Sequence, residues 1–176
     1  MLVEIKVHKL LVDGLTEMPM VILQETDGDR VLPILIGPVE AHAIGTQLEN
    51  MKFLRPLTHD LLVSVIDSLG GSLEKVVISR VEENTYYAEL LIRRDEGVIS
   101  VDARSSDSIA VALRTNARIF AEDGLLQSHV IEIADEQVVE CDLTDTELGL
   151  KAKMDPEQLK EYLRQLNPED FGRFTP

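Results

Sequence analysis

Hydrophobic positions recur at every second residue near the start of the chain, at Val3, Ile5 and Val7, then condense into two apolar runs, Met20 to Leu23 and Val31 to Ile36. Gly14 and Asp27-Gly28-Asp29 punctuate them. Period-two alternation bounded by turn formers predicts three strands folded as an antiparallel meander. The period then changes. Pro38 stands where a first helical turn accepts proline, and Ala41, Ile44, Leu48 and Met51 follow at helical spacing, which predicts an amphipathic helix over 38–51. A second helix is expected from Thr58 as N-cap, turning Leu61, Leu62, Val65, Ile66 and Leu69 inward and stopping at Gly70-Gly71.

Alternation returns at 73–81, 85–93 and 98–102, with turns at Glu82-Glu83-Asn84 and Asp95-Glu96-Gly97, and predicts three more strands. A third helix begins after Ser105 or Ser106. Its run Ile109-Ala110-Val111-Ala112-Leu113 is apolar on every face, as in a central helix covered on more than one side. Ile119 and Phe120 form a short strand. After about residue 134 the pattern loosens and turns acidic until Asp155-Pro156 introduces a helix with Leu159, Tyr162, Leu163 and Leu166. Runs of strands followed by helices predict an α+β fold of antiparallel meanders with three core helices. The expected organisation is a core domain over 1–134 and an acidic C-terminal tail with one helix over 135–176.

Charge narrows the choice of partner. Lys and Arg number 17 and Asp and Glu 32, a net charge of -15, so the long-range field opposes binding to a polyanion. The excess acid is concentrated beyond residue 132, whereas Arg104, Arg114 and Arg118 outnumber Asp102 and Asp107 in the stretch 100–120. A small basic site in an acidic body still grips a phosphate, but it gives little affinity for a long duplex. No apolar run approaches the ~18 residues of a membrane span, and the N-terminus alternates where a signal peptide would have an apolar block. A soluble, cytoplasmic protein is expected. The single cysteine, Cys141, excludes an internal disulfide and a cysteine-built zinc site.

Phosphate-loop, dinucleotide-binding, zincin and nucleophile-elbow motifs are all absent, which argues against ATPase, dehydrogenase, zincin and α/β-hydrolase chemistry. Polar chemistry gathers instead at two helix starts, Arg55-Pro56-Leu57-Thr58-His59-Asp60 and Asp102-Ala103-Arg104-Ser105-Ser106-Asp107. His59 can move a proton near neutral pH and Asp60 can hold a cation, yet each is also an ordinary occupant of a first helical turn. With Asp102 ending a strand and Asp107 opening a helix, a short connection brings both carboxylates to one divalent ion, or else both belong to a salt-bridge network. Arg55 and Arg104 fork a phosphate or neutralise carboxylates, and Glu40 has the same two readings.

Taken together, Leu32-Pro33-Ile34-Leu35-Ile36-Gly37-Pro38-Val39-Glu40-Ala41, Arg55-Pro56-Leu57-Thr58-His59-Asp60-Leu61 and Asp102-Ala103-Arg104-Ser105-Ser106-Asp107-Ser108-Ile109-Ala110 resemble, in order and spacing, the bifunctional nuclease domain family over roughly residues 1–134. The tail ending Asn167-Pro168-Glu169-Asp170-Phe171-Gly172 resembles those of bacterial members. Ser105 stands where the family usually has proline, Ser108 where it has alanine, and Arg118 replaces a further proline. The resemblance implies an α+β domain that associates as a homo-oligomer and a nuclease activity on DNA and RNA. The polar positions it carries over are Glu40, Arg55, Thr58, His59, Asp60, Asp102, Arg104, Ser106, Asp107 and Arg114.

The resulting expectation is a phosphodiesterase for single-stranded or short nucleic acid. Asp102 and Asp107, with Glu40 or Asp60, would hold Mg2+ or Mn2+, and His59 would move a proton. Arg55 and Arg104 would neutralise charge beside Thr58, Ser106 and Arg114 in substrate binding. The competing expectation is a non-catalytic oligomeric module, its polar motifs caps and ion pairs or a small-anion site.

Overall fold

The computed structural model describes residues 1–12 and 18–126, which belong to one unit of the chain, Met1–Thr144. The elements run β1 (Leu2–Val12), β2 (Pro19–Glu25), β3 (Val31–Leu35), α1 (Pro38–Leu48), α2 (Thr58–Ser68), β4 (Ser72–Glu82), β5 (Thr85–Arg94), β6 (Gly97–Arg104), α3 (Ser105–Thr115) and β7 (Arg118–Glu122). The acidic tail expected over 135–176, with its helix and Cys141, lies outside the described residues.

Both expected meanders form, and a single seven-stranded sheet unites them in the order β3-β2-β1-β7-β4-β5-β6. The seam is the short strand read at Ile119 and Phe120. β7 lies antiparallel to β1, with Ile5 opposite Ile119, and parallel to β4, with Val76 opposite Ile119. The sheet is therefore mixed, and the fold is α+β.

Alternation decides which face is covered. Val21, Leu23, Ile34, Val76, Ile78 and Ala88 are buried in one cluster with Ile44 of α1 and Ile109 and Val111 of α3. Each such Val or Ile contributes about 1.5–3 kcal/mol by leaving water. Ile22, one residue out of phase with Val21 and Leu23, joins Leu11 and Val31 in a smaller cluster. The apolar run of α3 behaves as a central helix should, packing on α1, α2 and the strands β4 to β7. Asn116 then adopts a left-handed conformation and ends the helix directly before β7.

Three expectations need correction. α1 stops at Leu48 and not at Met51, because Asn50 turns left-handed and the Met51 N-H returns to the Thr46 carbonyl. The N-cap of α2 is Leu57, with Thr58 the first helical residue. Most consequentially, α2 buries none of its side chains: Leu61, Val65 and Leu69 are 58%, 44% and 68% exposed, and Leu62 and Ile66 are not buried either. The period was correct, but α2 sits at the margin of the helix layer, where only Val63 reaches the main core. Apolar periodicity marks a face without saying what covers it.

One polar side chain ties the three helices together. The Arg114 guanidinium, 6% exposed, gives Nε to Asp60 Oδ1 of α2 at 2.5 Å and Nη1 to the carbonyls of Ala43 in α1 and Ala110 in α3 at 3.0 and 2.9 Å. Asp60 in turn accepts the Leu57 N-H at 2.8 Å. Burial pushes the Asp60 carboxyl upward, but Arg114 and that N-H outweigh it and leave its pKa below the ordinary value.

Breaking the pair from the carboxylate side strands a buried guanidinium. Because Asp60 keeps 35% of its side-chain surface, the cost of Asp60→Ala should fall at the low end for such pairs, about 3 kcal/mol. Arg114→Met carries its charge away and should cost less; urea denaturation of the two variants checks the order. A carboxyl lowered in the folded state stabilises the fold above its unfolded pKa of about 3.9 and loses that contribution as pH falls through the folded value. Thermal melts should therefore show stability dropping below roughly pH 4, and the drop should be shallower in Asp60→Ala.

Candidate functional site

β6 runs to Arg104 and α3 starts at Ser105, with no loop between them. Arg104 is the N-cap of α3, without a side-chain cap of its own, and Ser105 and Ser106 lie inside the first turn, 5% and 7% exposed. The expected serine cap is therefore absent. The leading N-H groups of such a helix have no intrahelical acceptor, and the dipole makes this end favourable to anions.

Asp107, in that first turn, joins the two polar segments read from the sequence. Its Oδ1 meets His59 Nε2 of α2 at 3.1 Å, and its Oδ2 accepts Arg104 Nε at 2.9 Å. Arg104 Nη2 continues to Glu40 Oε1 of α1 at 2.9 Å. Three helix side chains and the last residue of β6 thus form a row, Glu40, Arg104, Asp107 and His59, alternating in charge when His59 is protonated. The hydrogen bond with His59 comes first in holding the Asp107 carboxyl below the ordinary range, and Arg104 adds to it against the opposing effect of burial. Asp107, with Glu40 in support, raises the Arg104 pKa in turn.

Glu40 owes its position to a glycine. A Cβ at Gly37 would collide with the Glu40 carboxylate, which folds back over the start of α1. Gly37 is the N-cap there and makes no side-chain cap bond, so the Glu40 carboxylate lies close to otherwise open helix N-H groups.

Asp60 and Arg114 form the buried tie described above, and at 6% exposure Arg114 presents little surface to a substrate. Asp60 and His59 are adjacent in sequence but engage different partners, as neighbouring helix residues do. Thr58 and Arg55 are exposed, and neither makes a side-chain bond into the row. Asp102 does not end its strand. It lies within β6 opposite Glu89, out of phase with Ala103, which packs on the core. Its side chain makes no hydrogen bond or ion pair, and the residue is exposed.

That placement bears on a divalent ion at Asp102 and Asp107. Both Asp107 oxygens are occupied by His59 and Arg104, and among the described residues no three His, Cys, Asp or Glu side chains gather as a metal site. In this arrangement a place for Asp107 on Mg2+ or Mn2+ competes with its bonds to His59 and Arg104.

Beside the row lies a cleft of about 200 Å3, bounded by Ile34 to Gly37, Glu40, the turn residues Asn84 and Thr85, Tyr86, and the α3 residues Arg104 to Ser106. Tyr86 was not legible as a site residue, because its position in an alternating strand marks only a pleat. The signal that points to it is positional, since β5 begins at Thr85, next to the left-handed Glu83-Asn84 turn.

A family model described as the bifunctional nuclease domain matches residues 21–134. The chain is 38% identical over 169 residues to an uncharacterized protein of Mycobacterium tuberculosis, covering 96% of this chain and 97% of that one. It is 26% identical over 114 residues to Bifunctional nuclease 2 of Oryza sativa subsp. japonica, covering 62% of this chain and 35% of that one. With Bifunctional nuclease 1 of Arabidopsis thaliana it shares 24% identity over 100 residues, 54% of this chain and 31% of the plant protein. The chain thus aligns with only about a third of either plant protein. The matched segment includes Glu40, His59, Arg104 and Asp107, and the chain belongs to the bifunctional nuclease domain family.

Proposed function

We propose that the protein is a nuclease that hydrolyses phosphodiester bonds of DNA and RNA at the row Glu40, Arg104, Asp107 and His59. The observation that carries this reading is the 3.1 Å contact between His59 Nε2 and Asp107, with Arg104 on the other Asp107 oxygen. A carboxylate that accepts Nε2-H fixes the imidazole tautomer and leaves Nδ1 as the nitrogen that takes or gives a proton. Nδ1 would draw a proton from the attacking water and return one to the departing oxygen. Arg104, two-thirds exposed and with Nη1 unengaged, would bind a phosphate oxygen and stabilise the charge that builds on phosphorus. Single-stranded or short substrates suit a net charge of -15, since a long duplex would bring repulsion with few compensating contacts.

A homo-oligomer is part of the same proposal. Leu61, Val65 and Leu69 of α2, Leu54, and Val98, Ile99 and Val101 of the edge strand β6 are all exposed, apolar surface that association between copies would cover. No helix among the described residues is long and apolar enough to cross a membrane.

A non-catalytic binding module is the second reading. Each carboxylate of the row is already paired with a cation or His59, as structural networks also are. Cleavage of labelled single-stranded DNA and RNA separates the two readings. Asp107→Asn and His59→Gln should each lower kcat by about 100-fold, typical of a lost general base, with circular dichroism and melting unchanged. Equal turnover in wild type and both variants would sink the nuclease reading. Parallel reactions with Mg2+, Mn2+ or chelator test the ion, and strict dependence on added metal would mean that Asp107 releases a present partner.

A further inference from the structure

The cleft beside the row has two hydroxyls that the hydrolytic reading leaves unused. Ser105 and Ser106 are more than nine-tenths buried, line the cleft, and have hydroxyls with no hydrogen-bond partner. The serines stand in the first turn of an eleven-residue helix whose leading N-H groups point the same way. Arg104 spends Nε on Asp107 and Nη2 on Glu40, leaving Nη1 open. Hydroxyls, backbone N-H groups and one guanidinium nitrogen therefore converge on one end of the cleft.

The other end has a different character. Ile34, Ile36 and the half-buried ring of Tyr86 supply its apolar lining, and Glu40 adds a carboxylate acceptor. Such a division suits a ligand with an oxyanion at one end, a flat apolar body at the other and hydroxyls between them. A volume of about 200 Å3 is below the ~300 Å3 at which pockets for drug-sized ligands begin. At that size the cleft takes at most one nucleotide, partly enclosed, and Asn84 and Thr85 are among the residues that bound it.

We propose that this cleft binds the phosphomonoester of a single nucleotide, its phosphate on the α3 N-terminus, Ser105, Ser106 and Arg104, and its base against Tyr86. A monoester presents three terminal oxygens to these donors, whereas an internal diester presents two. The inference builds on the nuclease reading, since it places a strand end or a released nucleotide next to His59. Its test is nevertheless a binding measurement that needs no turnover.

Calorimetry or NMR titration of the full chain would compare adenosine 5′- and 3′-monophosphate with adenosine and with inorganic phosphate. At least one monophosphate should bind roughly tenfold more tightly than either fragment, and the double variant Ser105→Ala with Ser106→Ala should weaken it at least about tenfold. If that variant fails to fold, Tyr86→Ala in the opposite wall provides the same readout. A short single strand ending in the preferred phosphate then identifies the source: competition marks a strand end, and no competition marks a free nucleotide. Inorganic phosphate binding as tightly as the nucleotide, no binding at millimolar concentrations, or affinity unchanged in the folded variants would overturn the proposal. Cleavage without nucleotide binding would defeat this inference alone, and nucleotide binding without cleavage would defeat the nuclease reading alone.

Discussion

The helix layer depends on one buried cation. Arg114 reaches a carboxylate of α2 and carbonyls of α1 and α3 from a single side chain, and α2 has little else to hold it, since none of its side chains is buried. Hydrophobic burial anchors α1 and α3 to the sheet, whereas α2 is located by charge and hydrogen bonds. His59 stands on α2, one residue before Asp60. The catalytic imidazole of the proposed mechanism therefore takes its position from an ion pair in which it has no part.

The second polar feature, the row from Glu40 to His59, shows how an acidic protein could present the proposed phosphate site. Arg104 is shared between two carboxylates, and each carboxylate lies in the first turn of its own helix. The dipoles and the guanidinium offset the acids locally, so the site is less negative than the molecule as a whole. Salt in the medium weakens the exposed Arg104 end more than the sheltered His59 end, which is 15% exposed.

How much of this was legible in the chain follows from which signals are local. Alternation at Val3, Ile5 and Val7 and the apolar run of α3 report burial directly, and both meanders and the central helix stand as read. Boundaries shifted where the backbone ended an element by its own hydrogen bonds, as at Asn50 and Leu57. The apolar face of α2 was read as core because spacing cannot tell a covered face from an open one. In the site, the two polar helix starts do meet, through His59 and Asp107, forty-eight residues apart. Within each segment the side chains part company. Asp60 turned to Arg114, and Asp102 stayed in the pleat of β6, because the strand continues two residues past the point where its apolar alternation fades.

The direct passage from β6 into α3 also bears on how this family can vary. Most connections in a domain absorb an added or deleted residue in a loop, but between Gly97 and Asp107 there is none to absorb it. One extra residue there would either reverse the pleat of an edge strand held on one side only, or rotate the first turn of α3 by about 100°. Both displace Arg104 from between its two carboxylates. The length of this segment is therefore as much a part of the site as its side chains, and among relatives that keep the row it should be invariant while the surface turns drift.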